Sequence, residues 1–307
     1  MGIPFITTHD AVVGEPVEVA PGVVRVLADN PGPFTFTGTQ AFVLGEGPTC
    51  AVLDPGPDSP SHRDALLRAI GDRTVSHILV THHHLDHTAA VPWLQEVTGA
   101  ETCGYGSPRC HQDEGGEDVP EGPSPQARME AGDDPRFRPD RLLRDGDTIE
   151  TEAFRIEALH TPGHTSNHLC FAYRNELFCG DHVMGWSTSV VTPPDGHMGS
   201  YMRELRRIRD RDFHTLRPTH GEPIVNPRAF LDAYLAHREA REAGVLAAVR
   251  SGVSDIPAIV ARLYPALDPR LLPAASLNVL APLVTLREHG RVTGDRDDSL
   301  LCRYTPA

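Results

Sequence analysis

The segment that most constrains this chain is Thr81-His82-His83-His84-Leu85-Asp86-His87-Thr88, which follows the apolar run His77-Ile78-Leu79-Val80. In an extended stretch successive side chains alternate faces, so His82 and His84 point the same way. Where the chain turns into a following helix, Asp86 and His87 are redirected together. One short loop can therefore offer two imidazoles to one ion, and a carboxylate plus an imidazole to a neighbour. A nitrogen and oxygen set without thiolate suits zinc first and also admits manganese or iron. Catalytic sites keep a coordination position open for water, and this set permits one. His83 alternates away from its neighbours and is expected to pack or to face solvent.

The surrounding pattern reads as α/β. Val23–Leu27, Ala41–Leu44 and Cys50–Leu53 are β-type runs, the last one stopped at Asp54-Pro55-Gly56. Ser61 precedes an amphipathic helix with Ala65, Leu66, Leu67, Ala69 and Ile70 as its apolar positions, and the strand His77–Thr81 comes next. Strand, helix, strand is an α/β signature. A second helix is expected over Ala89–Val97. The stretch Ser107–Arg144 lacks a hydrophobic period and is predicted to be an exposed insertion, a lid over a site. Strands resume at Phe154–Leu159, Leu169–Ala172 and Glu176–Cys179. Beyond Pro227 the chain turns helical, over Ala229–Arg250, Ile256–Leu263 and Ala275–His289. It ends in a hairpin from Gly290–Val292 to Leu300–Tyr304. The predicted division is residues 1–228 and 229–307, the second part winged-helix-like.

His82-x-His84-x-Asp86-His87 after a hydrophobic strand resembles the signature of the metallo-β-lactamase superfamily, and four further motifs stand in the family's order. These are Asp54 in Leu53-Asp54-Pro55-Gly56, His164 in Thr161-Pro162-Gly163-His164-Thr165, Asp181 in Cys179-Gly180-Asp181, and His220 in Pro218-Thr219-His220-Gly221. The resemblance covers residues 20–225. It implies a four-layer αββα sandwich holding two divalent metal ions. His82, His84 and His164 would hold the first ion and Asp86, His87 and His220 the second, with Asp181 shared. Asp54 would support the ligand loop, and His182 is expected to support the site from behind. Asp86, Asp181 and His168 are the candidate catalytic residues. The implied chemistry is hydrolysis by a water activated between two ions.

Within the superfamily the chain resembles the β-lactamase-like protein 2 branch. The shared features are Asn30-Pro31-Gly32-Pro33-Phe34-Thr35 before Thr37-Gly38-Thr39, the Thr161–Thr165 motif, and His237-Arg238-Glu239 opening the C-terminal module. Gln40-Ala41 departs from that branch, where Asn-Thr is commoner. An aspartate at the bridging position argues against antibiotic hydrolysis as the main activity. Animal members of the branch cleave single-stranded RNA, so a single-strand-specific endoribonuclease or phosphodiesterase is the main alternative.

Charge decides between them. Net charge is −14, and residues 229–307 carry nine arginines against nine acidic residues, so the whole deficit falls on the first part. Neither part offers the basic track that a nucleic acid backbone needs. The arginines at 203, 206, 207, 209 and 211 are interleaved with Glu204, Asp210 and Asp212, as on a solvated helix face. The expected substrate is therefore a small-molecule ester, thioester or lactone, with Trp186, Met198 and Tyr201 as an apolar wall. The C-terminal module is expected to wall the cleft or to form a homodimer contact. Two readings from other classes stand further off: a metal-dependent oxidoreductase, disfavoured by the complete second ligand set, and a DNA-binding regulatory protein, disfavoured by the neutral module. Six scattered cysteines without a C-x-x-C pair suggest neither a disulfide framework nor a thiolate site. The N-terminus Met1–Phe5 lacks the pattern of a secretion signal and no apolar run reaches membrane-spanning length, so a cytoplasmic protein is expected.

Overall fold

The computed structural model describes residues 2–107 and 132–307. Seven strands lie side by side in chain order: β1 (Val17–Ala20), β2 (Val23–Leu27), β3 (Gln40–Leu44), β4 (Thr49–Leu53), β5 (Thr74–Leu79), β6 (Glu101–Gly104) and β7 (Arg141–Leu142). The first four pair antiparallel, and from β4 onward the pairing is parallel. The change of sense follows from the crossovers, since parallel neighbours need a long connection. Helix α1 (Pro60–Ile70) joins β4 to β5, and α2 (Leu85–Thr88) and α3 (Val91–Thr98) join β5 to β6. Ser59, not Ser61, caps α1, its hydroxyl accepting from His62 N at 3.4 Å, with Pro60 in the first turn.

The second sheet holds β8 (Thr148–Glu150), β9 (Arg155–His160), β10 (Leu169–Tyr173), β11 (Glu176–Gly180), β12 (Thr215–Pro218) and β13 (Ile224–Val225), adjacent in that order. Its parallel pair, β11 with β12, is the one joined by a helix, α4 (Met198–Asp210). The C-terminal part comprises α5 (Arg228–Arg250), α6 (Ile256–Leu263), α7 (Leu272–Glu288) and a hairpin of β14 (Val292–Gly294) and β15 (Tyr304–Pro306).

Alternation along the strands assigns the layers. On β3, Phe42 and Leu44 join Phe171 and Phe178 of the second sheet in the core between the sheets. Ala41 and Val43 face the other way, onto Leu66 and Ile70 of α1 and Leu94 of α3. The far face of the second sheet, with Leu159, Cys170 and Leu216, is covered by Tyr201 and Leu205 of α4 and by Leu231 and Tyr234 of α5. The result is the expected αββα sandwich. A further core, built on Val249, Ile259, Leu283 and Tyr304, closes the C-terminal part. Helix α5 serves both cores, its first half the sandwich and its second half the module.

Residues 108–131 of the predicted lid lie outside the described residues. The end of that stretch is built into the fold: β7 pairs with β6, and Asp133 bridges to His84. Among the described residues no helix is long and apolar enough to cross a membrane.

Candidate metal centre

Five strands end at one rim, and each hands a polar residue to it. Asp54 follows β4, His82–His87 follow β5, His164 follows β9, Asp181 follows β11 and His220 follows β12. Apolar strands fix the backbone, and the irregular chain just past their carboxyl ends is free to aim side chains inward. All seven expected ligands are brought together and all are buried. The ligand atoms of His82, His84 and His164 lie within 4.8 Å of one another, as do those of Asp86, His87 and His220. Asp181 stands between the groups: its Oδ1 is 3.4 Å from His220 Nε2, and its Oδ2 is 3.7 Å from His87 Nε2 and 3.9 Å from His164 Nε2.

Behind each ligand stands a second polar group. The Asp54 carboxylate accepts from Thr81 N at 2.8 Å and Thr81 Oγ1 at 2.7 Å, and lies 2.9 Å from His87 Nδ1. The Nδ1 atoms of His164 and His220 face the carbonyls of Val190 (2.7 Å) and Gly38 (3.1 Å). Each contact fixes the ring and leaves Nε2 as the inward lone pair. For His84 the inward atom is Nδ1, 2.8 Å from His82 Nε2, and the outward Nε2 lies 3.5 Å from Asp133 Oδ1. Asp133 also lies 3.2 Å from His83 Nε2, and His83 Nδ1 faces Asn167 at 3.0 Å, so His83 is packed into the surroundings of the site. Asp133 was hidden in the sequence, where it belongs to the Gly- and Asp-rich insertion. Thr39 was hidden too, and its hydroxyl donates to Asp86 Oδ2 at 3.2 Å.

Two other placements differ in kind. His168 is fully buried. Its Nε2 accepts from Asp181 N at 3.2 Å and its Nδ1 faces Thr161 Oγ1 at 2.9 Å, and it does not line the cavity above the ligands. It orients the backbone at Asp181 by position. His182 is buried against Tyr201, and neither ring nitrogen has a hydrogen-bond partner among the described residues. Burial, with His164 nearby, pushes its pKa down to about 3, so it is a neutral ring behind the site.

Electrostatics separate the two ligand groups. Burial and then the neighbouring imidazoles hold His82 well below the usual histidine range and His164 at about 4, so both offer neutral lone pairs. Burial also opposes protonation of His220 and His87. There the carboxylates outweigh it: Asp181 and Asp86 lift His220 to about 10, and Asp86, Asp54 and Asp181 lift His87. Asp86, which burial alone would raise, is held at about 2 by His87 and His220. Protons on His87 and His220 thus balance the carboxylates where a cation would. His87 Nε2, His164 Nε2 and Asp181 Oδ1 are buried atoms with no hydrogen-bond partner among the described residues. Orphaned polar atoms converging from three strands fit divalent metal, because an unpaired buried polar atom is costly otherwise.

Above the ligands lies a cavity of about 150 Å³. His84, Asp86, His164, Asp181 and His220 form its floor, and Phe34, Met184 and Trp186 its apolar side. Trp186 is stacked on Phe36 at 4.9 Å. Of the expected apolar wall only Trp186 is there. Tyr201 is wholly buried, its hydroxyl donating to His182 O at 2.7 Å, and Met198 starts α4 beneath the site. Gln40 does not face the cavity either: its amide donates to the Pro218 and Gly221 carbonyls and holds the His220 turn.

An αββα sandwich with a His/Asp cluster at one rim defines a class of metal-binding proteins, and the comparisons give the family. Residues 34–220 match the model of the Metallo-beta-lactamase superfamily, and residues 256–299 match the Beta-lactamase associated winged helix domain. The chain belongs to the metallo-beta-lactamase superfamily. It is 32% identical over 239 residues to the lactamase-like protein notP of Aspergillus sp. (strain MF297-2), covering 76% of this chain and 65% of that one. It is 30% identical over 239 residues to the atrochrysone carboxyl ACP thioesterase dmxR1 of Cryptosporiopsis sp. (strain 8999), covering 76% and 64%. The chain thus spans a little under two thirds of the length of these relatives. A beta-lactamase domain protein from Burkholderia ambifaria superposes over 97% of this chain and 96% of its own with a TM-score of 0.72 at 22% identity, a likeness of fold.

Proposed function

We propose that this protein is a binuclear metal-dependent hydrolase acting on a small-molecule thioester. The observation that carries the reading is the convergence of two ligand groups on Asp181 at the floor of a cavity with one apolar side. His82, His84 and His164 would hold one ion, Asp86, His87 and His220 the other, and Asp181 both. Zinc suits the set, with manganese and iron also admitted. When bound, a pair of divalent ions lowers the pKa of water towards about 7 and polarises a carbonyl.

The chain's own residues do the rest. Asp54, Asp133 and the carbonyls of Val190 and Gly38 hold the imidazoles in one tautomer. Asp86 and Asp181 are the carboxylates within reach of a proton released at the floor. Phe34, Met184 and Trp186 exclude water from the acyl side. Thioesters are preferred over lactones and simple esters because relatives bear thioesterase names, dmxR1 among them. A nucleic acid substrate is disfavoured by the arginines along α4 and just past its end. Arg203 pairs with Glu204, Arg206 with Glu239, Arg207 with Asp145, Arg209 with Asp232 and Arg211 with Glu157, so no free basic track remains there.

The test is a panel of an acyl thioester, a lactone, an aryl phosphodiester, nitrocefin and single-stranded RNA, offered to metal-reconstituted protein. Thioester turnover abolished by chelation and restored by zinc is expected. Turnover of RNA alone would overturn the reading.

A further inference from the structure

A second cavity, of about 160 Å³, adjoins the metal cavity. Thr188 and Asn278 line both, and so stand at the neck between them. The far chamber lies between α4, α5 and α7, with Tyr264, just past α6, on its wall. Met198, Met202 and Pro282 make it apolar on one side, and Arg238 and Arg241 make it basic on the other. Arg238 is nine-tenths buried, and its Nε has no hydrogen-bond partner among the described residues. Arg241 lies over the Tyr264 ring at 4.8 Å and has no carboxylate within ion-pair distance among the described residues. Glu242 is the single carboxylate on the chamber wall, so the cations outnumber it. Arg238 is held by the Ser189 carbonyl and the Tyr201 and Tyr234 rings, but neither arginine has a carboxylate partner among the described residues, and in a chain of net charge −14 such a pair favours an anion. The neck is uncharged and polar: neither the Thr188 hydroxyl nor the Asn278 amide makes a side-chain hydrogen bond among the described residues.

We propose that this chamber is the seat of a remote phosphate at the end of an amide-bearing arm that carries the reacting thioester. The proposal rests on the thioesterase reading and deepens it. With the carbonyl at the metal floor, the arm passes the neck, where Thr188 and Asn278 can pair with its amides. Its methylenes lie on Met198 and Met202, and its phosphate meets the Arg241 guanidinium, with the buried Arg238 charge behind it. Phosphopantetheine has this chemistry: a thiol, two amides and a phosphate at the far end. That phosphate continues into the nucleotide in coenzyme A and into a serine ester on carrier proteins. A plain fatty ester or a lactone would leave both arginines uncompensated.

The experiment compares S-acetyl-phosphopantetheine with S-acetyl-pantetheine on the metal-loaded full chain, in wild type and in Arg241→Gln. Wild type is expected to prefer the phosphorylated arm by about tenfold or more in kcat/KM, the range for a charged hydrogen bond. In Arg241→Gln the ratio should fall towards one, and Arg241→Lys should restore part of it. A ratio near one in wild type, or the wild-type ratio kept in Arg241→Gln, overturns the proposal. Acetyl-coenzyme A and an acetylated carrier protein, run side by side, separate the two sources; a higher kcat/KM on either one supports the chamber and assigns its natural donor. Failure to turn over any thioester overturns the proposed activity instead. Calorimetry with phosphopantetheine and pantetheine then decides on the chamber alone: tighter binding of the phosphorylated form, lost in Arg241→Gln, supports it, and equal binding overturns it.

Discussion

At the scale of single residues, the ligands make stability depend on pH as long as metal is absent. His220 rises from 6.5 to about 10 on folding, so its contribution is complete below about 6.5 and is lost as pH climbs towards 10. Asp86 falls from 3.8 to about 2, so its contribution is complete above about 3.8 and is lost as pH drops towards 2. Metal-free protein should therefore have a lower Tm at about pH 9.5 than at about pH 7.5 by calorimetry, both above the window in which the depressed histidines such as His82 and His164 take up protons on unfolding. Zinc replaces the imidazole proton, so the alkaline loss should shrink in the loaded form. A metal-free Tm that does not fall between these values would contradict the proton balance drawn between His220 and its carboxylates. Asp133→Asn weakens the acceptor facing His84 Nε2, and zinc affinity by chelator competition should fall about 10–100-fold. Unchanged affinity would remove Asp133 from the site. The convergence of the seven candidate ligands was readable because each sits in a short motif beside a strand. Asp133 was not, since its partner is distant in the chain, and the carbonyls of Val190 and Gly38 carry no side-chain signature at all.

At the scale of elements, legibility followed burial pattern. Strands β3, β9 and β10 read correctly because they are short apolar runs closed by turn residues, and α6 read to its ends because Asp255 caps it, accepting from Ala258 N at 3.0 Å. The start of α4 carries no clear sequence signal. Pro193, Pro194, Gly196 and Gly199 crowd it, yet the helix begins at Met198, where His197 Nδ1 accepts from Ser200 N at 3.1 Å. That start sets the geometry of the His164 turn. Gly163 has φ +154°, and a Cβ there would lie 2.5 Å from Tyr201 Cα, so only glycine lets the turn rest on α4. Gly163→Ala should destabilise the protein by about 2–4 kcal/mol, through overpacking and backbone strain together. Urea unfolding measures this, and zinc bound per chain should fall in the same variant, since His164 moves with the turn. A stability loss under about 0.5 kcal/mol, the range of ordinary surface substitutions, would show that the turn and α4 are not locked together.

At the scale of the whole molecule, the sandwich and the C-terminal module share one helix. A change of composition near Pro227 suggests a division there, and α5 does start at Arg228, but its first half completes the sandwich: Phe230, Leu231, Tyr234 and Leu235 belong to the core beneath the second sheet. The same half reaches the metal site. Tyr234 Oη accepts from Ser189 N, Arg238 donates to Ser189 O, and Ser189 Oγ donates to Asp181 O. Each large apolar side chain buried there contributes roughly 1.5–3 kcal/mol, so losing four approaches the roughly 5–15 kcal/mol that holds a whole domain folded. A chain ending at residue 227 should thus fail to fold, seen as aggregation and loss of bound zinc. A chain ending at residue 250 keeps all four side chains and both Ser189 contacts. It should stay folded and retain zinc, while losing the far chamber, whose Tyr264, Asn278 and Pro282 are gone. Equal zinc retention by the two truncations would show that α5 is not a structural part of the sandwich. Zinc retained only by the longer one would place the working boundary inside α5, where Val245 and Val249 pass to the module's own core.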